Sequence, residues 1–432
     1  MSDKFIKSIK GINDILPNDV EVLKNLESII HDVADQYCIS EIRLPLLERT
    51  ELFKRSIGIG SEIVEKEMYT FEDNNGELIS LRPEGTASCV RCALENNLIY
   101  DRGIKKKKFW YNGPMFRYEN PQKGRFRQFY QFGFEYFGFA GIDSDIELLS
   151  LCQRLFKAKL NLNDIKLHIN SIGNMKDRYK YAQTIKLFLE KYKNDLNEIQ
   201  KNTLSRNPMR LLDSKDKKIK SIFNDLPKFI DTMSNESRNR FDMVLRKLDE
   251  LKIDYHLDNS IVRGLDYYND TVFEWKHASL GSQDAVCAGG RYDALVEEIG
   301  GVKVPAMGFA FGVERLLDLI KDNKNFLNTK PQILLINISK ENNHQSFIKF
   351  ETLRDKFSNI KFYNYNVDEN TSLRAVLQFG SKNLTNCEYA IIIGDLELSD
   401  NSYTVKELST KNQDKKLSEK DLTNLLEKIN YE

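Results

Sequence analysis

Apolar and polar positions change period along this chain, and the changes mark out its elements. Residues 108–118 and 125–139 alternate with a period of two, the spacing that sends side chains to opposite faces of a strand. They predict an antiparallel pair joined by a loop over 119–124, where Asn120-Pro121 and Lys123-Gly124 supply turn chemistry. On the return strand one face carries Phe126, Tyr130, Phe132, Phe134 and Tyr136, broken only by Gln128, and reads as a core face. The other carries Arg127, Phe129, Gln131, Gly133 and Glu135. Helical periodicity shows at 182–192 and 240–251. Toward the C-terminus, strand, helix, strand, helix and strand are predicted at 332–338, 343–357, 361–365, 372–384 and 389–393. That β-α-β-α-β order indicates a small α/β domain with a largely parallel sheet.

Composition sets the boundaries between these parts. Residues 1–165 and 257–326 are rich in aromatic, glycine and strand-like segments, whereas 166–256 is mostly helical in pattern, with about 20 Lys/Arg against 13 Asp/Glu. We therefore expect one domain over 1–326, interrupted by a helical insertion at 166–256, then a polar linker near 322–330 and a domain over 331–432. The insertion's basic excess could track phosphate or be a solvated surface. Overall Lys+Arg and Asp+Glu both number 64 and the formal charge is zero, so any nucleic-acid contact must be local. The lysine-rich N-terminus lacks the apolar run of a signal peptide, and no stretch has the ~18 apolar residues of a membrane span. A cytoplasmic protein without a membrane partner is expected. Cys89 and Cys92 form a lone C-x-x-C among six scattered cysteines, read as free thiols in a reducing compartment. The five histidines show no ligand spacing, and no protein-bound structural metal is expected.

The polar face of the return strand is the first candidate site. A solvent-washed outer face would also be polar, but Gly133 favours a site, because a missing side chain lets a ligand lie against the sheet. Arg117 ends the first strand, where an arginine can grip phosphate with two parallel hydrogen bonds, and Phe129 can stack on a base. Together they suggest a nucleotide on an antiparallel sheet; the chain has neither a G-x-x-x-x-G-K-[ST] loop nor a strand-linked G-x-G-x-x-G. Glu84 and Thr86, in Leu81-Arg82-Pro83-Glu84-Gly85-Thr86, could receive an ammonium group or cap the helix beginning near Ala87. Arg263 to Tyr268 gather charge and two phenols before a strand at 271–275, and those phenols could equally be core. Cys287 to Asp293 form a glycine turn. Pro305 to Gly312 lead into a helix over 313–320 with Arg315 in its first turn, a place the helix dipole disfavours for a cation and a nearby anionic ligand would explain.

In order along nearly the whole chain, these segments resemble histidyl-tRNA synthetases, class II aminoacyl-tRNA synthetases. The resemblance starts at Lys10-Gly11-Ile12-Asn13-Asp14-Ile15-Leu16-Pro17 and continues through Ile42-Arg43-Leu44-Pro45, similar to the dimer-interface motif of the class, and Val64-Glu65-Lys66-Glu67-Met68-Tyr69. The strand pair with Arg117 resembles the second class motif, Gly308 to Arg315 the third, and Arg263–Tyr268 and Ala288–Asp293 the segments peculiar to the histidine enzymes. The resemblance implies an α+β catalytic domain on an antiparallel sheet flanked by helices, a helical insertion, a C-terminal α/β anticodon-binding domain and a homodimer. It also implies a ligase that makes histidyl-adenylate and pyrophosphate from L-histidine and ATP with Mg²⁺, then passes histidine to the 3′ end of tRNA(His).

Residue roles follow from the same resemblance. Glu84, Gly85, Thr86 and Gln131 would hold the ammonium group of histidine; Glu135 and Tyr268 would bond its ring nitrogens, with Tyr267 beside them. Arg117 and Arg263 would act in catalysis at the α-phosphate and the substrate carboxylate. Phe129 and Arg315 would sandwich adenine, and Arg125 would reach the outer phosphates, which also carry the Mg²⁺. Asn120 and Gln122 would face the tRNA acceptor end; bacterial members usually have Arg where Asn120 stands. A synthetase-like regulatory subunit of histidine biosynthesis is the alternative. Such paralogues generally lack the anticodon-binding domain and lose catalytic arginines, whereas Arg117, Arg263, Arg315 and residues 331–432 are present here.

Overall fold

Strand pairing and core packing divide the chain into two compact units, Met1–Phe326 and Leu327–Glu432. The computed structural model describes residues 6–58, 61–122, 124–213, 216–261, 267–321, 330–339, 343–367, 371–384, 386–409 and 414–431. Among these, no helix is long and apolar enough to cross a membrane.

The first unit is built on an eight-stranded sheet. In chain order its strands are β1 (Ser40–Glu41), β2 (Lys107–Phe116), β3 (Gln128–Phe137), β4 (Lys166–Ser171), β5 (Tyr255–Leu257), β6 (Asn269–Lys276), β7 (Ala285–Arg291) and β8 (Ala306–Gly312). In space they run β1-β2-β3-β8-β7-β6-β4-β5. The six central strands are antiparallel, while β1 and β5 join the edges in parallel.

Alternation along these strands sends two different layers to the two faces. Phe132, Phe134 and Tyr136 enter a core with Trp110, Phe309, Phe311, Phe273 and Trp275. Phe134 stacks on Phe309 at 4.8 Å between ring centroids, a separation at which aromatic pairs contribute beyond area burial. Four helices cover this face: α1 (Pro17–Gln36), α3 (Ile142–Gln153), α5 (Asn235–Glu250) and α6 (Val313–Ile320). Their buried residues recur every three or four positions, as in Val22, Leu26, Ile30 and Val33 of α1. The opposite face meets α2 (Thr86–Glu95) through Cys89, Val90 and Ala93, and part of it is left to the candidate site.

The expected strand pair is present with tighter ends: β3 starts at Gln128 and not at 125. Phe126, expected on the core face, therefore lies in the connecting loop, where alternation no longer applies, and lines a cavity. Arg127 turns its guanidinium over Tyr118 at 3.9 Å.

The helical stretch at 166–256 opens with β4, a strand of the main sheet. Its α5 packs Phe241, Val244 and Leu248 into the main core. Between them, α4 (Met175–Glu190) and shorter helices enclose a core of their own, with Tyr181, Ile185, Leu189, Met209, Leu211 and Phe229. The separately packed part is thus shorter than composition suggested, because a charge and periodicity shift does not mark where a chain leaves a sheet.

The second unit holds a five-stranded sheet. Gln332–Asn337 pairs in parallel with Lys361–Asn366 and with Cys387–Ile393, as the β-α-β-α-β order predicts. Two further antiparallel strands, Ser402–Glu407 and Lys415–Ser418, follow on one side. The sheet is therefore mixed. Ile333, Leu335, Phe350, Ile391 and Leu426 are among its core residues.

Candidate functional site

The face of β3 opposite the aromatic core, together with β8, β7 and the starts of α2 and α6, borders a cavity of about 280 Å³. Glu84, Thr86, Arg117, Arg125, Phe129, Gln131, Tyr267, Tyr268 and Arg315 all line it. Residues spread over more than two hundred positions thus converge on one cleft. Asn120 and Gln122 do not line it and are exposed in the loop between β2 and β3. Arg263 lies outside the described residues, so the structure gives no position for this expected catalytic arginine.

Glu135 sits just beneath the cavity and is 1% exposed. Its carboxylate accepts hydrogen bonds from Thr86 Oγ1 at 2.7 Å, from the Tyr111 hydroxyl at 3.0 Å and from the Tyr292 hydroxyl. Burial pushes its pKa up to about 8, against the pull of the Tyr292 and Thr86 hydroxyls. In its ionised form the carboxylate offers about four lone-pair positions. Three are taken by protein hydroxyls, which leaves one for a donor from the cavity. Gly308 makes this packing possible: a Cβ there would lie 1.8 Å from Glu135 Oε2. Gly85 and Gly133 do the same for Tyr111, whose ring would meet a Cβ at either position within 2.1 Å. Gly85 acts through this close approach and does not line the cavity.

Glu84 answers the choice the sequence left open by doing what a cap does. Its carboxylate accepts from the backbone N–H groups of Thr86 at 2.7 Å and Ala87 at 2.9 Å, satisfying donors that every helix start leaves over. It also lines the cavity. Two backbone donors do not exhaust its acceptor capacity, so the cap and a cationic ligand are compatible. Burial raises its pKa, opposed by those backbone hydrogen bonds. Gln131, two residues before Gly133 and on the same face, has a buried carbonyl oxygen without a hydrogen-bond partner among the described residues. An orphaned buried acceptor costs about 1–3 kcal/mol, and an ammonium donor in the cavity would remove that cost.

The cationic end of the cleft is formed by three arginines. Arg117 follows β2, donates from Nε to the Pro83 carbonyl at 2.9 Å and lies 5.2 Å over the Phe129 ring. Arg125 pairs with Glu119 at 2.6 Å, and Arg117 lies 4.0 Å from the same carboxylate. Arg315 donates to the backbone carbonyls of Gly124 at 3.1 Å and Ala285 at 2.6 Å. Burial and the neighbouring Arg125 lower its pKa, as a surplus of cations requires. Glu314, next to it, accepts from the backbone N–H of Tyr130 at 2.7 Å, and burial pushes its pKa up to about 7.

Sequence reasoning missed Tyr111, Tyr292, Glu119 and Glu314. Tyr292 was within reach, since it lies in the glycine turn singled out, but its hydroxyl bond to Glu135 spans 157 positions and no local pattern encodes it. Among the described residues there is no group of three or more His, Cys, Asp or Glu side chains placed to hold a metal ion.

The chain matches known proteins over nearly its whole length. The family model for histidyl-tRNA synthetase matches residues 11–316. A histidine–tRNA ligase of Buchnera aphidicola is 44% identical over 411 residues, covering 94% of each chain. The structure of apo Staphylococcus aureus histidyl-tRNA synthetase superposes with a TM-score of 0.79 at 29% identity, over 99% of this chain and 100% of that one. A histidyl-tRNA synthetase from Nostoc shares the fold at a TM-score of 0.66 and 19% identity, over 98% of this chain and 99% of that one. Taken with the cleft on β3, these matches show that the chain belongs to the histidyl-tRNA synthetase family.

Proposed function

We propose that this chain uses ATP to activate L-histidine as histidyl-adenylate and then transfers the histidyl group to tRNA(His), with both steps in the cleft on β3. The observation that carries the reading is the polar face of β3. There Gln131, whose side-chain carbonyl has no hydrogen-bond partner among the described residues, lines one cavity with Arg117, Arg125 and Arg315, and Glu135 on the same strand face has one acceptor position left.

Glu84, Thr86 and Gln131 receive the substrate ammonium group, each offering an acceptor at the cavity wall. Glu135 takes one ring N–H through its remaining lone pair, and Tyr268 meets the other ring nitrogen with Tyr267 packed beside it. A carboxylate accepts while a phenol accepts or donates, which suits imidazole. Leaving such buried groups unpaired discriminates against analogues by roughly 10⁴–10⁵. Arg117 bears the α-phosphate and its developing charge, with Arg263 as its partner by family resemblance; fixed positive charge there stabilises the transition state more than the ground state. Phe129 and Arg315 enclose adenine, and Arg125 reaches the outer phosphates. Mg²⁺ arrives with ATP and neutralises phosphate charge. We also propose a homodimer acting in the cytoplasm, with 331–432 reading the anticodon. The regulatory-subunit alternative is not favoured, since the second unit and the arginines of the cleft are retained.

ATP–pyrophosphate exchange run with each amino acid in turn tests the first step. Exchange with histidine alone is expected, with the KM for histidine raised most by Glu135→Ala and Tyr268→Phe. Unchanged histidine use in both variants would overturn the residue roles.

A further inference from the structure

We infer that Arg178, at the root of the helical unit, is a positioning residue for the histidine subsite, holding Tyr268 in place from helix α4. The inference rests on the reading of Tyr268 given above.

The chain leaves the main sheet after β4 and stays tied to β6 for two more residues. Ile172 N–H donates to the Asp270 carbonyl at 2.9 Å, and Asp270 N–H donates to the Gly173 carbonyl at 2.8 Å. Asn174 then caps α4 through the backbone N–H groups of Lys176 at 2.9 Å and Asp177 at 3.0 Å. Entry and exit of the helical unit are clasped at this level. Buried Asp177 accepts from Ser234 N–H at 3.0 Å, Ser234 Oγ at 3.0 Å and Ser237 Oγ at 2.5 Å, all at the start of α5. A carboxylate held by three donors is a firm anchor. The next residue is Arg178, whose Nη1 donates to the carbonyl of Tyr268 at 2.7 Å.

That carbonyl sits immediately before β6, which begins at Asn269, so it lies just outside the strand ladder. The phenol of the same residue lines the cavity. Its ring packs tilted against that of Tyr267, 4.7 Å between centroids, and lies against Gly290, where a Cβ would come within 3.1 Å. Ring packing fixes one side of Tyr268, and the charged hydrogen bond from Arg178 fixes its backbone. A charge-assisted bond of this kind is about twice as strong as a neutral one. Displacing a site group by about 1 Å can cost on the order of 10²-fold. The nucleotide end depends on other elements, since Phe129 is on β3 and Arg315 on α6. Loss of Arg178 is therefore felt by histidine and not by ATP, and the helical unit is fastened to the amino-acid subsite in particular.

The test uses the full-length protein in histidine-dependent ATP–pyrophosphate exchange, with Arg178→Ala, Arg178→Gln and Arg178→Lys compared against Tyr268→Phe. Arg178→Ala is expected to raise the KM for histidine about 10–150-fold, the size of one lost hydrogen bond to a charged group. The KM for ATP should stay within about twofold and kcat within a few-fold. Arg178→Lys, which keeps a charged donor, should recover most of the loss. Arg178→Gln, a milder change, serves if the alanine variant does not fold. Combining Arg178→Ala with Tyr268→Phe should cost less than the two effects multiplied, because both act through one side chain. A raised histidine KM in Tyr268→Phe with no change in the Arg178 variants would overturn this inference and leave the proposed site intact. No change in Tyr268→Phe would overturn the site reading and the inference with it. Equal losses toward both substrates, with a lower Tm and no rescue by lysine, would reduce Arg178 to a structural role and overturn the proposal as well.

Discussion

Glu135 concentrates the chemistry of the cleft in one carboxyl. Burial lifts its pKa from 4.5 to about 8 in spite of the hydroxyls of Tyr292, Thr86 and Tyr111. Between those values the folded protein keeps a proton that the unfolded chain has released. Stability from this group is thus complete below about pH 4.5 and is lost as pH rises through about 8. Thermal melts from pH 6 to pH 9 should show a steeper fall in Tm for the natural protein than for Glu135→Gln, whose amide does not titrate. Saturating histidine should offset the fall, because an N–H donor favours the ionised carboxylate. Parallel pH profiles for the two proteins would refute the assignment. A second prediction belongs to Asn120, exposed in the loop between β2 and β3 where bacterial family members usually carry Arg. Without that cation, contact with the acceptor end should be looser. Charging of tRNA with and without the extra 5′ guanylate typical of histidine tRNA should then differ little, and a large penalty for omission would disprove it.

At the scale of elements, β8 shows how closely the sheet is fitted to the site. Gly308 pairs with Glu135 across β3, and a Cβ there would lie 1.8 Å from Glu135 Oε2 and 2.5 Å from the Phe134 carbonyl. The side chain could move; the carbonyl, fixed in the ladder, could not. Gly308→Ala should therefore disrupt the carboxylate's hydroxyl clamp and cost about 1–3 kcal/mol in overpacking. Tm should drop by several degrees and histidine-dependent exchange should fall at least tenfold, while Gly312→Ala, with nothing within 4 Å of its Cβ, should keep its Tm. Such fitting also marks what was legible in the sequence. The polar row on β3 and the helix at Val313–Ile320 follow from periodicity, which is local. The clamp on Glu135 is not, since its donors come from α2, β2 and the residue after β7. Tyr111 and Tyr292 look like core aromatics, and they are fully buried; only their hydroxyls have a polar task. The last strand of the second sheet, Lys415–Ser418, lies at its edge and is short and lysine-bearing. That is how an edge strand avoids pairing with other chains, and it weakens the apolar alternation by which strands are recognised.

At the scale of the molecule, chemistry and packing are partitioned in the same way. Every residue that lines the cleft belongs to Met1–Phe326, and the core of the second unit is assembled from its own residues, among them Ile333, Phe350, Ile391 and Leu426. Among the described residues each apolar core cluster is made of side chains from one unit, as independent folding requires. If 331–432 serves anticodon recognition, a chain ending at residue 326 should fold and retain histidine-dependent pyrophosphate exchange within about tenfold. Its charging of tRNA(His) should fall by at least about 100-fold, the loss of roughly 2.7 kcal/mol of contact energy. The fall should lie mainly in the KM for tRNA, since the reacting atoms stay in the first unit. The balanced charge of the whole chain means that this contact must come from shape and a local arrangement of side chains more than from a general field. Its salt dependence should accordingly be shallow beside that of a strongly basic RNA-binding protein. Undiminished charging by the shortened chain would show that the second unit has some other task.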